Sequence, residues 1–131
     1  MKLEEREQYI IYRTETSRKS LEAAKLLYEN NFISSAVNRL YYSVFYIVNA
    51  LLVKNEITAK THTGLKHQFS VKFIKTNKID KKYGKLLTKL FNLRQKADYD
   101  NYFDIEKEAV LSMIKSVENM IDEIEKIIKI N

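Results

Sequence analysis

The sequence predicts an all-α fold: an up-and-down four-helix bundle with an additional short helix. Three observations carry this expectation. The chain has no proline and only two glycines in 131 residues, so it is poor in the turn residues that a β-sandwich or barrel needs. From Leu40 to Val53, twelve of fourteen residues are apolar or tyrosine, with Ser43 and Asn49 as the exceptions. A helix apolar on nearly all sides must be covered all round. Near the C-terminus, Ile105, Ala109, Met113, Val117, Met120 or Ile121, Ile124 and Ile127 or Ile128 form a sustained helical stripe.

Taken in order, residues 4–29 form the first helix. Ile10, Ser17, Leu21, Ala24 and Leu27 or Tyr28 share a face, and Asn30-Asn31 ends it. Thr14, Thr16 and Ser17 predict a bend or a late start. The central helix runs from Ile33 to Lys54, with Ser34 or Ser35 as its cap. The short link makes these two helices antiparallel. Residues 55–62 form a loop. A shorter helix follows at 63–76, with Leu65, Phe69, Phe73 and Ile74 facing inward, and Asn77 breaks it. The fourth helix covers 80–97 and places Tyr83, Leu86, Leu87, Leu90, Phe91 and Arg94 on one face, with Gly84 as a close-packing point. Residues 98–103 form a turn. The last helix runs from Asp104, its N-cap, to Ile130. The length suits one domain, residues 1–131. The central helix holds more apolar surface than three neighbours cover, which predicts a homodimer.

The stretch between Arg39 and Lys54 offers about 14 apolar positions where a membrane span needs roughly 20, so a buried helix is expected instead. The N-terminus is acidic and shows no signal-peptide pattern. Both features suit a cytoplasmic protein. There is no cysteine, which removes disulfides, thiolate metal sites and a cysteine nucleophile.

Charge is unevenly placed. Residues 60–96 carry eleven bases against Asp80 alone, and ten of the eleven are lysine. Two readings stand: a solvated lysine face, or a surface for RNA, nucleotide phosphates or an acidic protein. Lysine attracts phosphate as a point charge without the bidentate fork of arginine, so backbone contact is favoured over base reading.

Classical catalytic sets are thin. His62 and His67 are five apart, not i,i+4, and HExxH is absent, so no metal is expected. The two glycines, Gly64 and Gly84, stand too far apart for a Walker A, GxGxxG or GxSxG loop, and no cofactor is expected. What remains is positional. Arg94 shares the apolar face of its helix and must find an anion or reach solvent. Either it pairs with Asp98 as a structural ion pair, or it lines a cleft and meets phosphate. Arg39, two positions before Tyr41-Tyr42, poses the same question.

Three motifs carry a family resemblance: A-x-N-R-x-Y-Y-x-x-F (Ala36, Asn38, Arg39, Tyr41, Tyr42, Phe45), His62-Thr-Gly64, and Arg94-x-x-Ala97-Asp98-Tyr99. In their order and spacing they resemble the HEPN domain superfamily, most of all its small stand-alone UPF0332 branch. The resemblance implies a dimeric helical bundle that acts with a minimal nucleotidyltransferase (MNT) partner in a toxin–antitoxin pair. It also implies a nucleotide- or RNA-binding cleft at the dimer interface. Toxic members are metal-independent ribonucleases whose arginine is followed, after four to six residues, by histidine. In some pairs a tyrosine near that histidine is adenylylated.

This chain departs from the pattern. The expected histidine positions are Tyr99, Asp100 and Asn101. Catalytic candidates are therefore Arg94 with Tyr99, Asp98 or His62. Ligand-binding candidates are Asn38, Arg39, Tyr42, Arg94 and Lys96. Tyr99 and Tyr102 are the modification candidates. A binding protein, a ribonuclease and a purely structural subunit all remain open at this stage.

Overall fold

The computed structural model describes residues 2–99 and 104–130. Among them are five α-helices and no strand: α1 (Leu3–Glu29), α2 (Ile33–Lys54), α3 (His62–Phe69), α4 (Lys81–Tyr99) and α5 (Lys107–Ile130). A π-helical turn at Ser70–Ile74 continues α3. The all-helical bundle agrees with the expected fold class.

The helix ends follow from local chemistry. Asn31, Glu56 and Asn77 have φ of 65°, 57° and 59°. At each, the following residue's amide reaches back to the helix: Phe32 N to Leu27 O, Ile57 N to Leu52 O, and Lys78 N to Phe73 O. These are paired 6→1 and 5→2 closures around a left-handed residue. Asparagine tolerates that conformation better than most L-residues, which suits two of the three turns; the third is made by Glu56.

α2 is the axis of the bundle. Ala36, Val37, Leu40, Val44, Ile47, Val48, Ala50 and Leu51 are each 0% exposed. α1 covers it most extensively, and α4 and α5 cover two further sides. The helix has the length and apolar character of a membrane span, yet most of it is buried inside the bundle. One chain therefore covers most of the apolar surface for which the sequence reading invoked a second copy. The side left half-buried holds Tyr42, Phe45, Tyr46, Asn49 and Val53.

Several local expectations need correction. α1 is continuous through Thr14–Ser17, because its hydroxyls find acceptors within the packed helices. Thr16 Oγ1 donates to Tyr12 O, and Ser17 Oγ donates to Ser43 O of α2 at 2.6 Å. α2 has no side-chain cap: Phe32 occupies the N-cap, and Ser34 Oγ instead donates to Ala97 O at 3.4 Å. α4 continues through Asp98 and Tyr99, where the sequence predicts a turn. Residues 100–103, Tyr102 included, lie outside the described residues. α5 begins at Lys107, not Asp104; the Glu106 carbonyl accepts from Ala109 N and Val110 N.

Gly84 does mark a close approach. A Cβ there would lie 3.2 Å from Ile74 Cγ1, the residue that ends the π-helical turn. This contact seats the α3 unit against α4.

Candidate functional site

The site begins with the start of α3. Thr61 is its N-cap, and its hydroxyl accepts from Gly64 N at 2.8 Å. A Cβ on Gly64 would stand 3.0 Å from that hydroxyl oxygen, so glycine permits the tight cap. His62 is consequently the first residue of a helix, not part of a loop. Its ring is held over the aromatic face of α2.

Three rings of α2 surround it. His62 stacks on Phe45, with centroids 4.7 Å apart, and on Tyr41 at 5.6 Å, and it meets Tyr42 edge-on. His62 Nδ1 is 2.6 Å from Tyr41 Oη. Burial lowers the His62 pKa, and the nearby Arg94 cation lowers it further. Burial pushes the Tyr41 phenol up to about 12, against the opposing pull of Arg94. The imidazole is thus favoured as neutral, and the phenol keeps its proton.

Arg94 reaches the same place from α4. Its guanidinium carbon lies 5.1 Å from the Tyr41 ring centroid and 5.7 Å from that of Tyr42. Nη1 donates to Tyr42 Oη at 3.4 Å and to Asp98 Oδ2 at 3.3 Å, both at the long end of the range. Asp98 is the i,i+4 partner that helical spacing offers. It does not saturate the arginine. Arg94 Nε is the one buried side-chain nitrogen or oxygen without a hydrogen-bond partner among the described residues. A guanidinium has five N–H donors, and a buried donor left unpaired costs free energy. An anion could pair with this nitrogen only after the guanidinium shifts to expose it.

Arg39 adjoins the cluster through Tyr42. Its guanidinium carbon sits 5.0 Å over the Tyr42 ring, while Nε and Nη2 donate to Asn38 Oδ1 at 3.1 and 2.8 Å. Both guanidinium groups therefore lie close to the Tyr42 ring.

Of the residues singled out from the sequence, the fold gathers Asn38, Arg39, Tyr42, His62, Arg94 and Asp98. It does not gather Tyr99 or Lys96. Tyr99 is 86% exposed, and five residues beyond Arg94 it points about 140° away around the helix. Lys96 is exposed on another face of α4. Tyr41, Phe45 and Phe91 escaped the sequence reading as site residues. Tyr41 and Phe45 stood in the family motif, and Phe91 packs edge-on against Tyr41 at 5.9 Å. Aromatics at helical spacing look like core, and nothing in the spacing alone announces a partner 21 residues downstream. Among the described residues, no group of three or more His, Asp or Glu side chains is placed to hold a metal.

Fold and site together define an α-helical bundle with an arginine, a histidine and paired tyrosines converging from three helices. The HEPN domain profile matches residues 12–127. The chain belongs to the HEPN domain family. A UPF0332 protein of Thermotoga maritima is 38% identical over 127 residues, covering 97% of this chain and 96% of its own length. Two proteins of Methanocaldococcus jannaschii bear the names "Putative toxin MJ0142" and "Putative toxin MJ0605". The first is 46% identical over 94 residues, 72% of this chain and 64% of the relative. The second is 38% identical over 115 residues, 88% and 85% respectively.

Proposed function

We propose that this chain is a toxin-type HEPN protein whose Arg94 cluster binds phosphate of RNA or of a nucleotide. The observation that carries this is the Arg94 guanidinium, placed near two phenol rings, weakly held by one carboxylate, and with one donor left unpaired. Arg39 adds a second cation beside Tyr42. A planar guanidinium with free donors suits phosphate oxygens. The names of the two M. jannaschii relatives support the toxin reading. In keeping with the family resemblance, the protein acts in the cytoplasm as a homodimer and is opposed by an MNT partner. The dimer places the half-buried side of α2 (Tyr42, Phe45, Tyr46, Asn49, Val53) at the cleft between copies. Light scattering on the purified chain should return twice the monomer mass. Titration with single-stranded RNA and with AMP should show salt-sensitive binding that Arg94→Ala removes; absence of binding to both overturns the reading.

A second reading is favoured by one contact, His62 beside Tyr41 and Arg94: the protein is itself a metal-independent ribonuclease. If Nδ1–H donates to Tyr41 Oη, the Nε2 lone pair is free to take the proton of a ribose 2′-hydroxyl. The 2′-oxygen then attacks the adjacent phosphorus and forms a cyclic 2′,3′-phosphate. The bond to the 5′-oxygen breaks, that oxygen takes a proton from water, and the His62 imidazolium returns its proton to the solvent. Arg94 offsets the charge that develops on the phosphoryl oxygens. Cleavage in EDTA, abolished by His62→Gln and by Arg94→Ala in folded protein, supports this reading. Intact RNA under those conditions removes it and leaves the binding reading standing.

A further inference from the structure

We propose that the groove between α4 and the α3 unit is a track for the backbone of single-stranded RNA, leading away from the Arg94–His62 cluster. This rests on the RNA reading above and adds where the strand outside the cluster lies. The groove has a volume of about 610 Å³ and is bordered by Lys66, Lys81, Lys85 and Lys89. Gly84 and Ile74 line it where the π-helical turn closely approaches α4.

The lysines are regularly placed. Lys81, Lys85 and Lys89 stand at i, i+4 and i+8, one row along α4 with a rise of about 6 Å per step. None of the four has a carboxylate within salt-bridge distance among the described residues. The one acid of this basic segment, Asp80, spends its Oδ1 on Lys82 N at 2.9 Å. The positive field of the groove is therefore left for an external anion.

The groove also adjoins the cluster. Lys66 lies one helical turn after His62. Its Nζ is 4.7 Å from the Phe91 centroid, and Phe91 packs on Tyr41. A chain of phosphates leaving Arg94 along this wall meets Lys66 and then the α4 row. The border holds lysine and no arginine, which suits evenly spaced phosphates as point charges better than the bidentate capture of carboxylates. Ser70, Thr88 and Asn92 line the same groove and offer neutral donors to phosphate or ribose.

The test measures binding of the full chain to a labelled 2′-O-methyl oligouridylate, which cannot be cleaved, by fluorescence anisotropy over a salt series. A labelled polyglutamate peptide serves as the competing polyanion. Each lysine–phosphate contact on a single strand contributes about 0.7 to the slope of log K against log salt. Lys85→Ala/Lys89→Ala should reduce the slope by about 1.4 and weaken binding several-fold. Lys115→Ala/Lys126→Ala, on exposed positions of α5, should leave both unchanged. Wild-type slope and affinity in the groove variant overturn the track. So does a groove effect confined to polyglutamate, which would make the occupant an acidic protein. If RNA binding does not depend on Arg94 while the groove variant still lowers the slope, the track stands and the reading of the cluster fails.

Discussion

The imidazole of His62 and the phenol of Tyr41 are joined by a 2.6 Å hydrogen bond between residues 21 positions apart. The bond ties the first turn of α3 to a fully buried part of α2, and the Arg94 guanidinium carbon lies 5.1 Å from the centroid of the same tyrosine ring. Because Tyr41 is only 1% exposed, the pair is fixed by the core and does not depend on a mobile loop.

The lowered pKa of His62 has a definite sign. Its folded value lies below the ordinary 6.5, so the unfolded chain binds the proton more readily. Stability should therefore be undiminished above pH 6.5. It should fall as the pH drops through that value towards the folded pKa. Urea unfolding between pH 5 and pH 8 should show this fall in the wild type and a smaller one in His62→Gln. If RNA is cleaved, the acid limb of the rate profile should sit below pH 6.5.

Arg94→Ala should separate function from fold. It removes two guanidinium–ring contacts, each worth about 0.5–2 kcal/mol, and a long ion pair. It also removes the buried unpaired Nε and its cost. The net loss of stability should be small, about 1 kcal/mol in urea melts, with helical circular dichroism retained. RNA or nucleotide binding should fall at least tenfold. Arg94→Lys should not restore it, since lysine lacks the planar fork.

Thr61→Ala removes the N-cap of α3. Such losses cost about 0.5–2 kcal/mol, and here the freed turn carries His62. The variant should be less stable by about 1 kcal/mol, and its His62 pKa should return towards 6.5 as the ring loosens. Urea melts measure the first effect, and NMR titration of the histidine ring protons measures the second.

Gly84→Val tests the contact between α4 and the π-helical turn. A Cβ already meets Ile74 at 3.2 Å, and valine adds two methyls beyond it. Overpacking of this kind costs about 1–3 kcal/mol. Ile74→Ala in the same chain should recover part of the loss, which a double-mutant cycle by thermal melting would show.

Most of the fold was legible in the sequence because helical periodicity and the scarcity of Gly and Pro both act locally. The bounds of α2 follow from its apolar run. The errors came from groups whose partners are remote. Ser17 looked like a weak point until Ser43 O on α2 accepted its hydroxyl. Ser34 looked like a cap but donates to Ala97 O. In the site, Arg94 and its i,i+4 partner Asp98 were legible from spacing. His62 was placed in a loop because its role depends on Thr61 capping a helix that starts at the histidine itself. Tyr41 was passed over because a core tyrosine and a site tyrosine share the same helical spacing; only the approach of α3 and α4 distinguishes them.

The central claim is that Arg94 and His62 form one anion site for RNA. The chain has two histidines, so the Hε1 ring protons give two NMR signals, assigned through His67→Gln. On addition of uncleavable 2′-O-methyl RNA, the His62 signal should shift in the wild type and stay unmoved in folded Arg94→Ala. A His62 signal that ignores saturating RNA, or that shifts equally without Arg94, contradicts the claim.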